Sequence, residues 1–245
     1  MISFRITAPF KTITALFVVL LWSGAARAQG LRVLPVNIQM APGQKATTMT
    51  VVNEGSATTA IQIRAYAWNQ SHGNDQLDAS DEVVASPPLV SIAPGAKQLI
   101  RLVLRHSPQG REATYRILLD QIPAAGEPGV VQIVLRMSIP IFAQSEVRGL
   151  PHVLFHIESD AGQSYLVGVN DGLRHEVIRD IMLLASDGRK LRTESSASPY
   201  ILAGATRRWP IALQGSMPLK GETLQLTAHA DTIPIEQQVP VVGIP

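Results

Sequence analysis

Ile61-Gln62-Ile63-Arg64-Ala65-Tyr66-Ala67-Trp68 decides the fold class. Ile61, Ile63, Ala65 and Ala67 alternate with Gln62, Arg64, Tyr66 and Trp68, the period of two of a strand with one face in a core. The same period returns at 98–106, where Ile100, Leu102 and Leu104 share a face. It returns again where Tyr115, Ile117 and Leu119 alternate with Arg116, Leu118 and Asp120. Pro42-Gly43, Asn53-Glu54-Gly55, Pro87-Pro88 and Pro94-Gly95 separate these runs as turns. No stretch sustains a helical stripe. Regular short strands at this spacing predict an all-β protein built from antiparallel sandwiches.

A break falls near Ser145-Glu146-Val147-Arg148-Gly149, and a fresh series of strand-like runs follows it. Residues 29–146 and 147–245 are each close to the roughly 100 residues of one immunoglobulin-like sandwich. No short repeat and no low-complexity tract stands out. Residues 1–28 read as an address. Arg5 and Lys11 precede an apolar run from Ala15 to Trp22, and Ala26-Arg27-Ala28 closes it. That pattern is a secretory signal with cleavage after Ala28. The run is too short to span a bilayer, which takes about 20 apolar residues. The mature chain is expected to be exported, not membrane-embedded.

Composition narrows the function. Of 245 residues, 46% are hydrophobic and 16% charged, which fits a globular chain and not a disordered one. The absence of cysteine excludes disulfides, thiolate metal sites and a cysteine nucleophile. An exported chain without cysteine fits the bacterial periplasm, with a core large enough to fold unstapled. The net charge of +2 falls to −1 once Arg5, Lys11 and Arg27 leave with the address, so no nucleic-acid footprint remains. The histidines at 72, 106, 152, 156, 175 and 229 are scattered and read as surface residues. His152 and His156 have helical ligand spacing, but on a strand four residues span roughly 13 Å, too far for one metal. No nucleophile elbow, zinc-protease motif or phosphate loop occurs. Asp120, beside apolar residues on a strand, suits a structural hydrogen bond as well as catalysis. No catalytic residue, metal, cofactor or nucleotide is therefore expected.

One run is odd. At 130–142 the residues Val131, Ile133, Leu135, Met137, Ile139 and Ile141 form an unbroken apolar row, whereas Val130, Gln132, Val134, Arg136, Ser138 and Pro140 are mixed. Strands usually run about five or six residues, so part of this one is expected to overhang its neighbours. A core-facing strand accounts for the periodicity. Pro140 cannot donate a ladder hydrogen bond and points to an edge. An exposed apolar edge aggregates unless a partner uses it, which makes the run a binding candidate.

Several segments, in order, carry a family resemblance. They are Pro42-Gly43-Gln44-Lys45 with Val51-Val52-Asn53, then Ile63-Arg64-Ala65-Tyr66-Ala67-Trp68-Asn69. Ser86-Pro87-Pro88, Ile92-Ala93-Pro94-Gly95 and Ile100-Arg101-Leu102 follow. The set ends with Tyr115-Arg116-Ile117-Leu118-Leu119-Asp120-Gln121-Ile122-Pro123 and Ser138-Ile139-Pro140-Ile141-Phe142. In these the chain resembles the periplasmic pilus-assembly chaperones of the chaperone–usher pathway, and their archaic, spore-coat-U-type branch most. Asn37 and Pro140 stand where the P-pilus type places its two basic anchors, and the archaic branch is similar in Tyr115-Arg116. The resemblance implies two sandwiches at an angle with a cleft between them. It implies a donor strand presenting Val131, Ile133, Leu135 and Met137 to an incomplete pilin subunit, and an outer-membrane usher as second partner. Arg116 would anchor the subunit's terminal carboxylate, with Arg136 and Arg101 as weaker candidates. Ala143-Gln144 stands where the family's interdomain arginine is expected. The competing reading is a secreted two-domain structural or adhesive protein. A pilin should begin with its own long apolar extension, and only Leu31, Val33, Leu34 and Val36 precede the first turn.

Overall fold

The computed structural model describes residues 30–123, 133–160, 162–194, 198–212 and 218–243. The expected leader and Val131 lie outside them. Every regular element among the described residues is a strand. The first half holds β1 (Leu31–Leu34), β2 (Ile38–Met40), β3 (Ala46–Asn53), β4 (Thr59–Ser71) and β5 (Asn74–Ala79). It continues with β6 (Val83–Ser86), β7 (Leu89–Ile92), β8 (Lys97–Leu104), β9 (Ala113–Ile122) and β10 (Arg136–Ala143). The second half holds β11 (Val153–Asp160), β12 (Gln163–Asn170), β13 (Glu176–Leu184) and β14 (Lys190–Arg192). After these come β15 (Tyr200–Ile201), β16 (Thr206–Pro210), β17 (Thr223–Ala230) and β18 (Ile235–Gly243).

The first half is a sandwich. One layer runs β1-β3-β8-β6, and the other runs β2-β10-β9-β4-β5 with β7 also paired to β4. The alternating rows read from the sequence meet between the layers. Met49, Val51, Ile100, Leu102 and Leu104 come from one side, and Ile61, Ile63, Ile117, Leu119, Ile139 and Ile141 from the other. In the second half the strands form one hydrogen-bonded path, β14-β13-β17-β18-β11-β12-β16. It folds into two layers because β18 serves both: Ile235 to Pro240 pairs with β17, and Val241 to Gly243 with β11. Ile157, Leu166, Leu183, Trp209, Leu224 and Val239 fill the core between the layers.

The sandwiches are not wholly antiparallel, as the turn spacing alone predicts. β2 pairs with β10 in parallel over Ile38–Met40, and β11 pairs with β18 in parallel over Ile157–Ser159. In each half one end strand crosses from one layer to the other, and that crossing lets a parallel pair form without a helical connection.

A local structure recurs in the two halves. Asn53 and Asn170 are fully buried at the ends of β3 and β12. The Asn53 amide donates to the carbonyls of Ala57 and Ile92, both at 2.8 Å, and its oxygen accepts the Gly55 N–H at 3.0 Å. The Asn170 amide donates to Arg174 and Ile201, at 2.8 and 3.1 Å, and its oxygen accepts the Gly172 N–H at 3.0 Å. The backbone N–H of each asparagine donates to an alanine carbonyl, Ala96 or Ala205, just after a glycine with φ +72°. Gly95 and Gly204 hold the left-handed conformation that these turns need. The repeat escapes a search for short repeats because few residues recur and their spacing differs.

Each asparagine satisfies one buried carbonyl and a second, part-buried one. Asn53→Ala and Asn170→Ala should therefore each lower the unfolding free energy by about 2–4 kcal/mol. Urea denaturation measures this, and a loss under roughly 1 kcal/mol at either position would show that the corner does not hold its loop.

Candidate functional site

The outward face of the five-strand path through β10, β9 and β4 carries the chemistry. Strand register fixes which side chains share it. Tyr66 and Pro140 flank Arg116, and Gln62 and Arg136 flank Asp120. Trp68 and Phe142 belong to the same face by the period of two. The opposite row of β10, Ile139, Ile141 and Ala143, is buried in the first core, with Met137 packed against it.

β10 is paired on one side along its whole length, by β9. On the other side β2 covers only Ile141, Phe142 and Ala143, starting one residue after Pro140. From Arg136 to Pro140 that flank has no strand partner among the described residues. The strand expected over 130–142 is regular only from Arg136. Ile133, Val134 and Leu135 precede it without regular pairing, although β9 runs on past Asp120 to Ile122. The last backbone tie is Gln121 N–H donating to Leu135 O at 2.9 Å. Ile133 is 85% exposed and Leu135 38%, large apolar side chains beside a free edge.

The three arginines do not share a pocket. Arg101 is exposed on β8 between Thr48 and Ser86, on the outer face of the other layer. Arg136 lies on the right face, but its Nε donates to the Asp120 carboxylate. Arg64 Nη2 reaches the other oxygen of Asp120 at 2.5 Å. Burial raises the Asp120 pKa, yet the hydrogen bonds and charges of Arg136 and Arg64 outweigh it and hold the carboxyl below its ordinary value. This carboxylate is thus an ionised structural bridge. Arg116 is different. Its guanidinium stacks 3.7 Å from the centre of the Trp68 ring and 5.7 Å from that of Tyr200. Burial lowers its pKa, against the fields of Asp75 and Tyr200, which raise it. Among the described residues no carboxylate forms an ion pair with it. A stacked, half-buried guanidinium with free donors can receive a carboxylate through two parallel hydrogen bonds.

Tyr200 belongs to the second half, so the site spans a joint. Trp68, Phe142, Leu202 and Ala205 form a buried cluster across it. The His175 ring stacks on Phe142, with centroids 3.6 Å apart and planes at 13°. Its Nδ1 lies 2.6 Å from the buried Glu112 carboxylate, which also accepts the His175 backbone N–H at 2.9 Å. Arg207 Nη1 donates to Asp75 at 2.8 Å. Gln70 binds the backbone of Tyr200 and Leu202 in both directions, at 2.9 and 3.0 Å. His175 is therefore no surface histidine; its side chain is 9% exposed. A charge pair, Asp75 with Arg207, and a hydrogen-bonded pair, Glu112 with His175, do join the halves, but each pair is too far apart in the chain for any local pattern to reveal it. His152 and His156 have separate acidic neighbours, Asp171 and Glu158.

Residues 30–146 match the family model described as pili and flagellar-assembly chaperone, PapD N-terminal domain. The chaperone protein PapD of Escherichia coli is 29% identical over 104 residues, 40% of this chain and 42% of that protein, so the match spans less than half of that relative's length. Among solved structures, the archaic CsuC–CsuE chaperone–tip adhesion subunit complex of Acinetobacter baumannii superposes with a TM-score of 0.65 at 21% identity, covering 88% of this chain and 100% of that one. The SafA pilin–SafB chaperone complex of Salmonella enterica gives a TM-score of 0.57 at 13% identity, over 89% of this chain and 98% of that one. The structural matches share the all-β, two-sandwich fold. Over residues 30–146, just under half of its length, the chain is similar to the PapD N-terminal domain of pili and flagellar-assembly chaperones.

Proposed function

We propose that this protein is a periplasmic chaperone of the archaic chaperone–usher type. It holds incomplete pilus subunits by lending them a strand and passes them to an outer-membrane usher. In this reading residues 29–146 form the donor domain and 147–245 the other wall of the cleft. The observation that carries the proposal is the row of β10. Ile139 and Ile141 fill the protein's own core, and the same row continues outward as Leu135 and the exposed Ile133, beside an unpaired edge. A subunit lacking its last strand has a groove of core side chains and two rows of unpaired backbone groups, and this ribbon fits both needs. Leu135, Ile133 and Val131 would enter the groove, while Met137, expected there too, packs against the protein's own core. Burying an aliphatic side chain contributes roughly 1.5–3 kcal/mol, so the set gives on the order of 5–10 kcal/mol before ordering costs. That holds a complex and still lets a competing strand displace it. Arg116 would take the subunit's terminal carboxylate, since Arg136 is engaged by Asp120 and Arg101 faces away.

Two substitutions test the proposal with a pilus subunit of the archaic type as the co-expressed probe. Ile133→Asp should leave the protein folded and exported yet abolish co-purification of the subunit, because an unpaired charge is costly in a dry groove. Capture at the unsubstituted yield would refute the donor assignment. Arg116→Ala should weaken capture on the order of 30-fold, about 2 kcal/mol for a charge-assisted pair, with the fold retained. Arg116→Lys should recover only part of it, since an ammonium lacks the planar fork.

A further inference from the structure

The apolar pattern ahead of β10 does not by itself say which row meets a guest. Val130 and Val134 interrupt what would otherwise be a polar row, so a slip of one residue exchanges Ile133 and Leu135 for Val134. Register here needs another determinant, and three ties converge where β10 leaves the sheet. Gln121 N–H donates to Leu135 O at 2.9 Å, and Leu135 N–H donates to Gln121 Oε1 at 3.3 Å. One residue on, Asp120 grips Arg136 with one carboxylate oxygen and Arg64 with the other. The Asp120 side chain is 15% exposed, and Arg64 comes from β4, on the far side of β9. The carboxylate is thus braced from the sheet interior and holds an arginine at the open edge. Charge-assisted bonds of this kind are about twice as strong as neutral ones and depend on direction.

We propose that Asp120, braced by Arg64, is a positioning residue: by holding Arg136 on the outer face it fixes the register of the donor segment, so that Leu135 and Ile133, and not Val134, meet the subunit. The inference rests on the donor reading above. Asp120 touches no guest; it acts through Arg136.

An aspartate scan in three backgrounds separates this role from a structural one, with capture of the same co-expressed subunit as the measurement. In the otherwise unchanged chain Leu135→Asp should cut capture on the order of 20-fold and Val134→Asp less than about threefold, because only the groove is dry. In the Asp120→Asn background the contrast between the two positions should shrink below about threefold. Arg136→Gln should do the same. That side chain is 64% exposed, so its loss leaves the core untouched and guards against an unfolded Asp120 variant. A contrast that stays above about tenfold in both backgrounds overturns the register lock and leaves the donor reading intact. Equal losses at 134 and 135 in the unchanged chain also overturn the lock. Normal capture by Leu135→Asp overturns the donor reading itself.

Discussion

The pairing of β10 with β9 stops at Arg136 and Asp120, and the rest of the molecule is arranged around that stop. A chain that leaves its partner strand loses the ladder, so its backbone groups must find other partners. Upstream of Arg136 the apolar row has left its own sandwich, and downstream it fills that sandwich. One row of side chains is thus divided between a core the protein owns and a core it can complete. β2 adds to the asymmetry by covering the outer flank only from Ile141 onward. Pro140 stands at the boundary, where a missing N–H costs nothing to an unpaired edge.

The second sandwich sets what lies opposite that edge. Phe142 ends the outward row of β10 and is held between Trp68, Tyr200 and the ring of His175. Glu112 orients His175 through both ring and backbone, so the stack is fixed by a buried carboxylate as well as by apolar contact. The same joint brings Tyr200 close to Arg116, whose guanidinium then lies among rings and remains without a carboxylate among the described residues. Ring faces attract a guanidinium and leave its in-plane donors free, which distinguishes Arg116 from Arg136, whose Nε donates to Asp120.

Loop structure at the joint follows from the repeated asparagine corner. In the first half Asn53 closes a surface turn over Ala57 and Ile92. In the second half Asn170 closes the equivalent turn over Arg174 and Ile201, and the loop it shapes carries Leu173 and His175 to Glu112. One device, a buried amide bonded to two carbonyls, stabilises a plain turn in one place and presents the joint in the other.

Sequence alone determined the all-β class, the two series of strands and the inward rows at Ile61, Ile100 and Ile117, because period-two burial is a local property of the chain. It also marked the odd row of β10 and Pro140. Local pattern could not place the start of that strand, since the apolar row runs unbroken past Arg136, where the pairing with Asp120 begins. Nor could it separate Arg116 from Arg101 and Arg136, three arginines on strands with similar neighbours in the chain. Their difference lies in which layer each occupies and which groups from distant strands surround it. The tertiary structure alone decided that Asp120 would bind Arg136, that Tyr200 would sit beside Arg116 and that His175 would be buried, because each contact joins strands whose separation in sequence carries no periodic signal.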